Sequence, residues 1–163
     1  MNITEALSEL ETILNQAGAR AALAYLNARA GHRFTGMYRY EIDAANALAF
    51  YDREHPEMAD PGDLDNIPVE VTYCTYVVQS GRPFHITDAL NDDRVIGHPS
   101  RETVQAYCGV PLRDKDGKIF GTLCHFDFRP VPVPAGHLAL MEAVSPLIEK
   151  HDRVTYTPRR KVT

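Results

Sequence analysis

The sequence predicts an α+β domain: a central antiparallel sheet of about five to six strands, with terminal helices on one face and a helix plus loops roofing a pocket on the other. Three observations lead there. Segments with a three-to-four-residue apolar period stand at both ends of the chain and once in its middle, and the segments between them alternate or are rich in β-branched and aromatic residues. The strands of the last hairpin are apolar on both parities, Cys108, Val110 and Leu112 against Tyr107 and Pro111, and Ile119 and Leu123 against Phe120, Phe126 and Phe128, so both faces of that sheet are covered.

Each element follows in order. Ile3, Leu7, Leu10, Ile13, Leu14 and Ala17 recur at helical spacing with Glu5, Glu9 and Glu11 between them, an amphipathic helix that Gly18 interrupts and that "ARAALAYLNARAG" resumes up to Gly31. "HRFTGMYRYEID" and "ALAFYDRE" read as a hairpin with "AAN" near its turn. "HPEMADPGDLDNIP" is a polar, proline-containing loop, long enough to need a function or to be mobile. In "VEVTYCTYVVQSG" the β-branched and aromatic residues favour a strand, while Val69, Tyr73, Tyr76, Val77 and the stopping Gly81 fit a helix, which is the reading adopted. "RPFHITDA" is a short strand, and "LNDDRVIGHPSRETV" a loop with at most a helical turn. "QAYCGVPLR" and "KIFGTLCHFDF" flank Asp114-Lys115-Asp116-Gly117 as the clearest hairpin. Alternate prolines keep "RPVPVPAG" out of regular pairing, and a helix through Leu138, Met141, Val144, Leu147 and Ile148 closes the chain, with Pro146 expected to kink it.

Composition narrows the function. A chain of 163 residues that is 44% hydrophobic and 24% charged matches one soluble domain. Net charge is -5, and Lys and Arg collect only after His151, so no basic face offers itself to nucleic acid. The N-terminus lacks a signal-peptide pattern and no segment approaches the roughly 18 apolar residues of a membrane span, so no membrane partner and a cytoplasmic location are expected. Three cysteines without a C-x-x-C unit are read as free thiols. The hairpin loop leaves two registers open for Cys108, opposite Leu123 with a four-residue loop or opposite Cys124 with a glycine bulge at Gly117. In either case the thiols are read as packing.

The run "YCGVPLRDKDGKIFGTLCHFDFRP", preceded by "YCTYVVQSGRPFHITDALNDDRV", is similar to the GAF domain family. The shared pattern is a helix with a cysteine and aromatics, a T/S-G-x-P turn, a strand ending in "DA", then "GVPL", a D-x-D-G turn, "GTLC" and a "D-x-R-P" exit. The resemblance covers roughly residues 20 to 150. It implies a small-molecule sensor fold with a loop-roofed pocket, often dimerising through its terminal helices. The expected layout is one domain over 1–163, with a core at about 20–150, residues 1–18 as an amphipathic helix and possible dimer interface, and 153–163 as a flexible basic tail. No output domain fits in the remaining residues, so the expectation is a stand-alone sensor acting on a separate effector protein.

Two chemistries of the wider family bear on these residues. Free methionine-R-sulfoxide reductases have a G-H-x-x-C-D run followed by S-E-I-V-x-P; this chain has Gly97-His98-Pro99-Ser100-Arg101-Glu102, an arginine where that thiol stands, and "AYCGVP". Thiol-dependent reduction is therefore the alternative function, and a protein-interaction module without ligand a third. Covalent attachment of a linear tetrapyrrole is not expected, because Cys124-His125 lies inside the final strand and not ahead of it. No metal, calcium-loop, phosphate-loop or other cofactor pattern is present, so no cofactor is expected. The candidate ligand-binding set is Phe50, Tyr73, Tyr76, Phe84 and Tyr107 as aromatic walls, with Asp88, His125 and Asp127 as polar anchors, around a small molecule whose identity the sequence does not give. The chain is accordingly expected to be a non-catalytic sensor and a homodimer.

Overall fold

The computed structural model describes residues 2–155. Two helices open it, α1 (Ile3–Ala17) and α2 (Ala19–Asn27), broken at Gly18, whose N–H closes onto the Ile13 and Leu14 carbonyls. Six strands follow with one helix among them: β1 (Phe34–Tyr40), β2 (Ala44–Asp52), β3 (Ile67–Pro68), α3 (Cys74–Ser80), β4 (Phe84–Ile86), β5 (Ala106–Arg113) and β6 (Ile119–Asp127), and α4 (His137–Thr155) ends the described chain. Short 3₁₀ turns at Gly62–Leu64, Val69–Val71, Ala89–Asn91 and Asp93–Val95 stitch the connections. The strands form one antiparallel sheet in the order β3-β2-β1-β6-β5-β4. This is the expected α+β architecture.

The sheet separates two cores. Ala6, Leu10 and Leu14 of α1, Ala22, Leu23 and Leu26 of α2, and Leu140, Met141, Val144 and Ile148 of α4 pack on Met37, Cys108, Val110, Leu112 and Leu123 of the sheet. Each fully buried aliphatic side chain of this set contributes about 1.5–3 kcal/mol of transfer free energy. On the other face Phe34, Tyr38, Phe50, Tyr107, Cys124 and Phe126 meet Tyr73, which caps α3, and Cys74 and Val77 within it, with Ile86, Ala89 and Val95. Tyr73, Cys74 and Val77 share one helical face, which is why this β-prone segment turns into a helix over the sheet. The long loop before α3 adds β3 as an edge strand on Ala44 and Ala45.

Several expectations are corrected here. The turn of the first hairpin is at 41–43, and "AAN" begins β2 instead of forming it. Of the apolar face of α1, Ala6, Leu10 and Leu14 are buried in the domain, Leu7 and Ile13 pack partly buried against the same cluster, and Ile3 is exposed. Arg153 to Thr155 are the last turn of α4 and not a tail, and 156–163, the rest of that expected tail, lie outside the described residues. The last hairpin takes neither expected register. Gly117, at φ 80°, bulges the turn, and a second bulge at Phe120 puts Leu112 opposite Gly121 and Arg113 opposite Ile119. Two bulges shift the pairing twice, so Cys108 faces His125, and Cys124 faces Gly109.

Candidate functional site

A cavity of about 310 Å³ lies between the sheet and its loop-built roof. Tyr38, Tyr107, Cys124 and Phe126 form its floor, because on β1, β5 and β6 these residues share the parity that faces away from the terminal helices. Val71, Thr72, Tyr73 and Cys74 form one wall and Ser100, Thr103 and Val104 another; Asp63, Leu64 and Ile67 close the side, with Phe128 at the end. The long polar loop thus has a structural task. It is held there by the Tyr38 hydroxyl, which donates to the Leu64 carbonyl at 2.7 Å. Across the mouth the Ser100 hydroxyl donates to the Val71 carbonyl at 2.5 Å, and Arg101 donates to the carbonyls of Ala89 and Leu90 at 3.0 Å each, which makes Arg101 a roof strut.

The polar groups of the cavity converge on two points. The first is the thiol of Cys74, 3.1 Å from the Thr122 hydroxyl and 3.4 Å from the Tyr107 hydroxyl that donates to it, with Cys124 lining the same cavity. Tyr107 reaches it by lying flat over Gly109, where a Cβ would stand 2.4 Å from the phenol oxygen, so only glycine fits opposite Cys124. The Cys124 donor, and after it Thr122, Thr72 and Tyr107, hold the Cys74 thiol below its ordinary range against the opposing effect of burial. Burial pushes Cys124 well up. The second point is Tyr73, 2% exposed, whose hydroxyl has no hydrogen-bond partner among the described residues and whose ring stacks on His98 at 4.5 Å. Burial pushes that phenol up to about 12, so it stays protonated and is a donor without an acceptor.

Of the expected site residues, Tyr73 and Tyr107 stand in this cavity. Phe50 is core, 5.7 Å from the Phe34 ring, and Tyr76 and Phe84 pack on one another at 4.7 Å behind the roof, so the three do not line it. Asp88 accepts from the Asn91 amide at 2.7 Å in a turn beyond β4, away from the cavity. His125 and Asp127 are on the opposite face, because they alternate with Cys124 and Phe126 and so share the parity of Leu123. His125 places Nδ1 2.6 Å from the Thr35 hydroxyl and Nε2 2.8 Å from Nε2 of His137 on α4, while His32 stacks on it at 5.6 Å. Burial pushes His125 well below the usual imidazole range, with His137, His32 and Arg53 adding to the push. Asp127 accepts from the backbone N–H of Arg33 at 2.8 Å and of Arg129 at 3.1 Å, a clamp at the end of β6 that also borders a second depression of about 390 Å³ with Arg33, Arg53 and Arg129.

The reading by residue type missed Cys74, Thr72, Thr122, Tyr38 and Phe126, and took Cys124 for packing. One signal pointed to them: in β6 the aliphatic residue Leu123 marks the parity under the helices, so the alternate residues Cys124 and Phe126 belong to the roofed face. Cys108 is an inert thiol on the helix side, pushed up to about 12 by burial. Among the described residues no group of three or more His, Cys, Asp or Glu is placed to hold a metal ion, and no helix is long and apolar enough to cross a membrane.

Known structures share this architecture. Free methionine-R-sulfoxide reductase from Neisseria meningitidis, in complex with its substrate, superposes with a TM-score of 0.69 at 18% identity, over 94% of this chain and 89% of that one. The same enzyme from Staphylococcus aureus, also with substrate, gives 0.67 at 20% identity over 92% and 95%. The GAF domain of a phosphoenolpyruvate-protein phosphotransferase from Acinetobacter gives 0.66 at 13% identity over 94% and 96%. These likenesses show a fold used by sensors and by enzymes. No curated protein matches the sequence. The GAF domain model matches residues 5–151, nearly the whole chain, and the protein belongs to the GAF domain family.

Proposed function

We propose that the protein is a ligand-binding regulatory domain whose cavity takes a small, largely apolar molecule bearing a hydrogen-bond acceptor. One observation carries this reading: the unpartnered Tyr73 hydroxyl beside a 310 Å³ cavity walled by Tyr38, Tyr107 and Phe126. A buried donor without a partner costs about 1–3 kcal/mol, and an acceptor on the ligand relieves that cost on binding. The roof consists of short turns and the two-turn helix α3, elements of low local stability, so a ligand that favours one roof arrangement shifts its population and presents a changed surface to a second copy or a separate effector. On this reading the protein is not an enzyme. The test is native mass spectrometry of the purified protein together with thermal shifts across aromatic and aliphatic acids, amides and ketones. A bound mass or a saturable shift that Val104→Trp abolishes by filling the cavity is expected. An empty cavity and no shift across the panel overturn the proposal in favour of an interaction module.

A second reading, thiol-dependent reduction of methionine sulfoxide, is favoured by the polarised Cys74 thiol and the likeness to the sulfoxide reductases, and is opposed by Arg101, an arginine serving as a strut. Incubation with free methionine sulfoxide and counting thiols before reductant is added decides it, and an unchanged count excludes it.

A further inference from the structure

Two of the three cysteines meet on the cavity wall, and ligand binding as proposed makes no use of their chemistry. Cys74 opens α3 and Cys124 lies in mid-β6; both line the cavity and belong to the same buried cluster. The Thr122 and Tyr107 hydroxyls stand 3.1 and 3.4 Å from the single sulfur of Cys74, and Tyr107 donates to it. Hydroxyls gathered on one buried sulfur suit a thiolate, which accepts only, better than a neutral thiol, a weak acceptor. Burial pushes Cys124 up, so it keeps its proton, and the pair has one nucleophile and one reserve thiol. Cys108 lies on the helix side, outside the lining of this cavity, and burial pushes its thiol up, which makes it an internal reference.

We propose that Cys74 attacks an organic hydroperoxide that enters the cavity, and that Cys124 then resolves the product into a Cys74–Cys124 disulfide. This rests on reading the cavity as a small-molecule site. In the first step the Cys74 thiolate attacks the terminal peroxide oxygen: an S–O bond forms, the O–O bond breaks, and the departing alkoxide takes up a proton as an alcohol. Cys74 is then a sulfenic acid. In the second step Cys124 gives up its proton and attacks the Cys74 sulfur; the S–S bond forms, and hydroxide leaves with that proton as water. Two thiols and one hydroperoxide become one disulfide, one alcohol and one water. Both thiols line one cavity, and the disulfide requires the short helix that carries Cys74 to bring its sulfur to about 2 Å from that of Cys124. The aromatic walls bury the organic substituent, which favours such a peroxide over hydrogen peroxide by about tenfold or more in rate. An external dithiol restores both thiols by exchange.

The test treats fully reduced protein with one equivalent of cumene hydroperoxide, or of hydrogen peroxide in a parallel arm, quenches with N-ethylmaleimide, and reads intact mass and peptide maps. Labelled thiols are expected to fall from three to one, with the label left on Cys108, a Cys74–Cys124 cross-linked peptide, and cumyl alcohol equal to the disulfide. Cys124→Ser is expected to stop at a sulfenic acid on Cys74 that dimedone traps. A rate no faster than that of free glutathione, or oxidation of Cys74 to sulfinic acid without cross-linking, overturns the inference; equal rates for the two peroxides overturn its substrate class. The wild-type readouts decide without the variant should it fail to fold. Ligand shifts measured on reduced protein without peroxide keep the two ideas apart: inert thiols with a shift refute only the dithiol, and cross-linking without any shift refutes only the ligand reading.

Discussion

On the helix-covered face β6 contributes Leu123 and His125; on the opposite face, from the neighbouring positions, it contributes Cys124 and Phe126. Leu123 belongs to a cluster with aliphatic residues of three helices, and His125 meets His137 of the last of them. The second pair meets a short helix, 3₁₀ turns and loops, which cannot supply a continuous ridge. Side chains of similar burial therefore end in different settings, a closed core on one side and a cavity with unpartnered or convergent polar groups on the other. The lesson is that a domain stores its stability where its regular elements are long, and has room for chemistry where they are short.

The largest effect that can break this contrast is a matched pair of truncations. Leu123→Ala, at a fully buried position in the central strand under the helices, is expected to cost about 3 kcal/mol, because strand and helix backbones cannot both collapse into the void. Val104→Ala, on the half-buried roof beside existing empty space, is expected to cost less than about 1 kcal/mol. Chemical denaturation of both variants gives the comparison, and equal losses would show that the roof is as tightly built as the back.

Next in size is a pH effect to which the helix side supplies three of the four histidines that burial lowers, His98 on the roof being the fourth. Burial lowers His32 from 6.5 to about 4, and also lowers His125 and His137, so all three are neutral in the folded protein where the unfolded chain would be protonated. Between about pH 6.5 and pH 4 the unfolded state binds more protons, stability rises with pH, and it is lost as pH falls through that window. A histidine lowered that far contributes a slope of up to about 1.4 kcal/mol per pH unit, so His32 removes about 2 kcal/mol between pH 7 and pH 5. Glu149 and Asp152, raised by burial, act with the opposite sign in their own range. The check is the slope of stability against pH in His32→Leu, which should be flatter than wild type by one histidine whatever the absolute cost of the substitution. His32 is a fitting probe because neither ring nitrogen has a hydrogen-bond partner among the described residues.

What the sequence made legible divides along the same line. Elements set by local chemistry were readable: the break at Gly18, the helix ending at Gly81, the hairpin around Asp114–Gly117, and the order of helices and strands that makes the fold. Sides were less readable, because a strand's faces differ only by parity, and a bulge that no residue type announces inverts it. Phe120 is such a residue: its extra position turned His125 and Asp127 toward the helices and Cys124 toward the cavity. The polar anchors sought among charged residues were therefore on the wrong face, whereas Tyr73 and Tyr107, chosen as aromatic walls, were on the right one. Cys74 was visible as a helix residue but not as a site, since its character comes from Thr72, Tyr107, Thr122 and Cys124, which only the packing of α3 on the sheet brings together.

The smallest effect in stability is the most specific to the cavity. Tyr73→Phe removes one oxygen that has no partner among the described residues and leaves the ring stacked on His98, so the folded state loses no bond and sheds a desolvated donor. Stability is expected to stay level or rise by up to about 1 kcal/mol, an outcome that is unusual for a substitution at a position 2% exposed. Affinity for a molecule found by the thermal-shift panel should move the other way, weakening by roughly tenfold if the phenol donates to it. A paired measurement of melting temperature and dissociation constant separates the alternatives. Loss of both would mean that the hydroxyl is bound within the domain and serves the fold, and retention of both would mean that the ligand sits elsewhere in the cavity, nearer Tyr38 and Phe126.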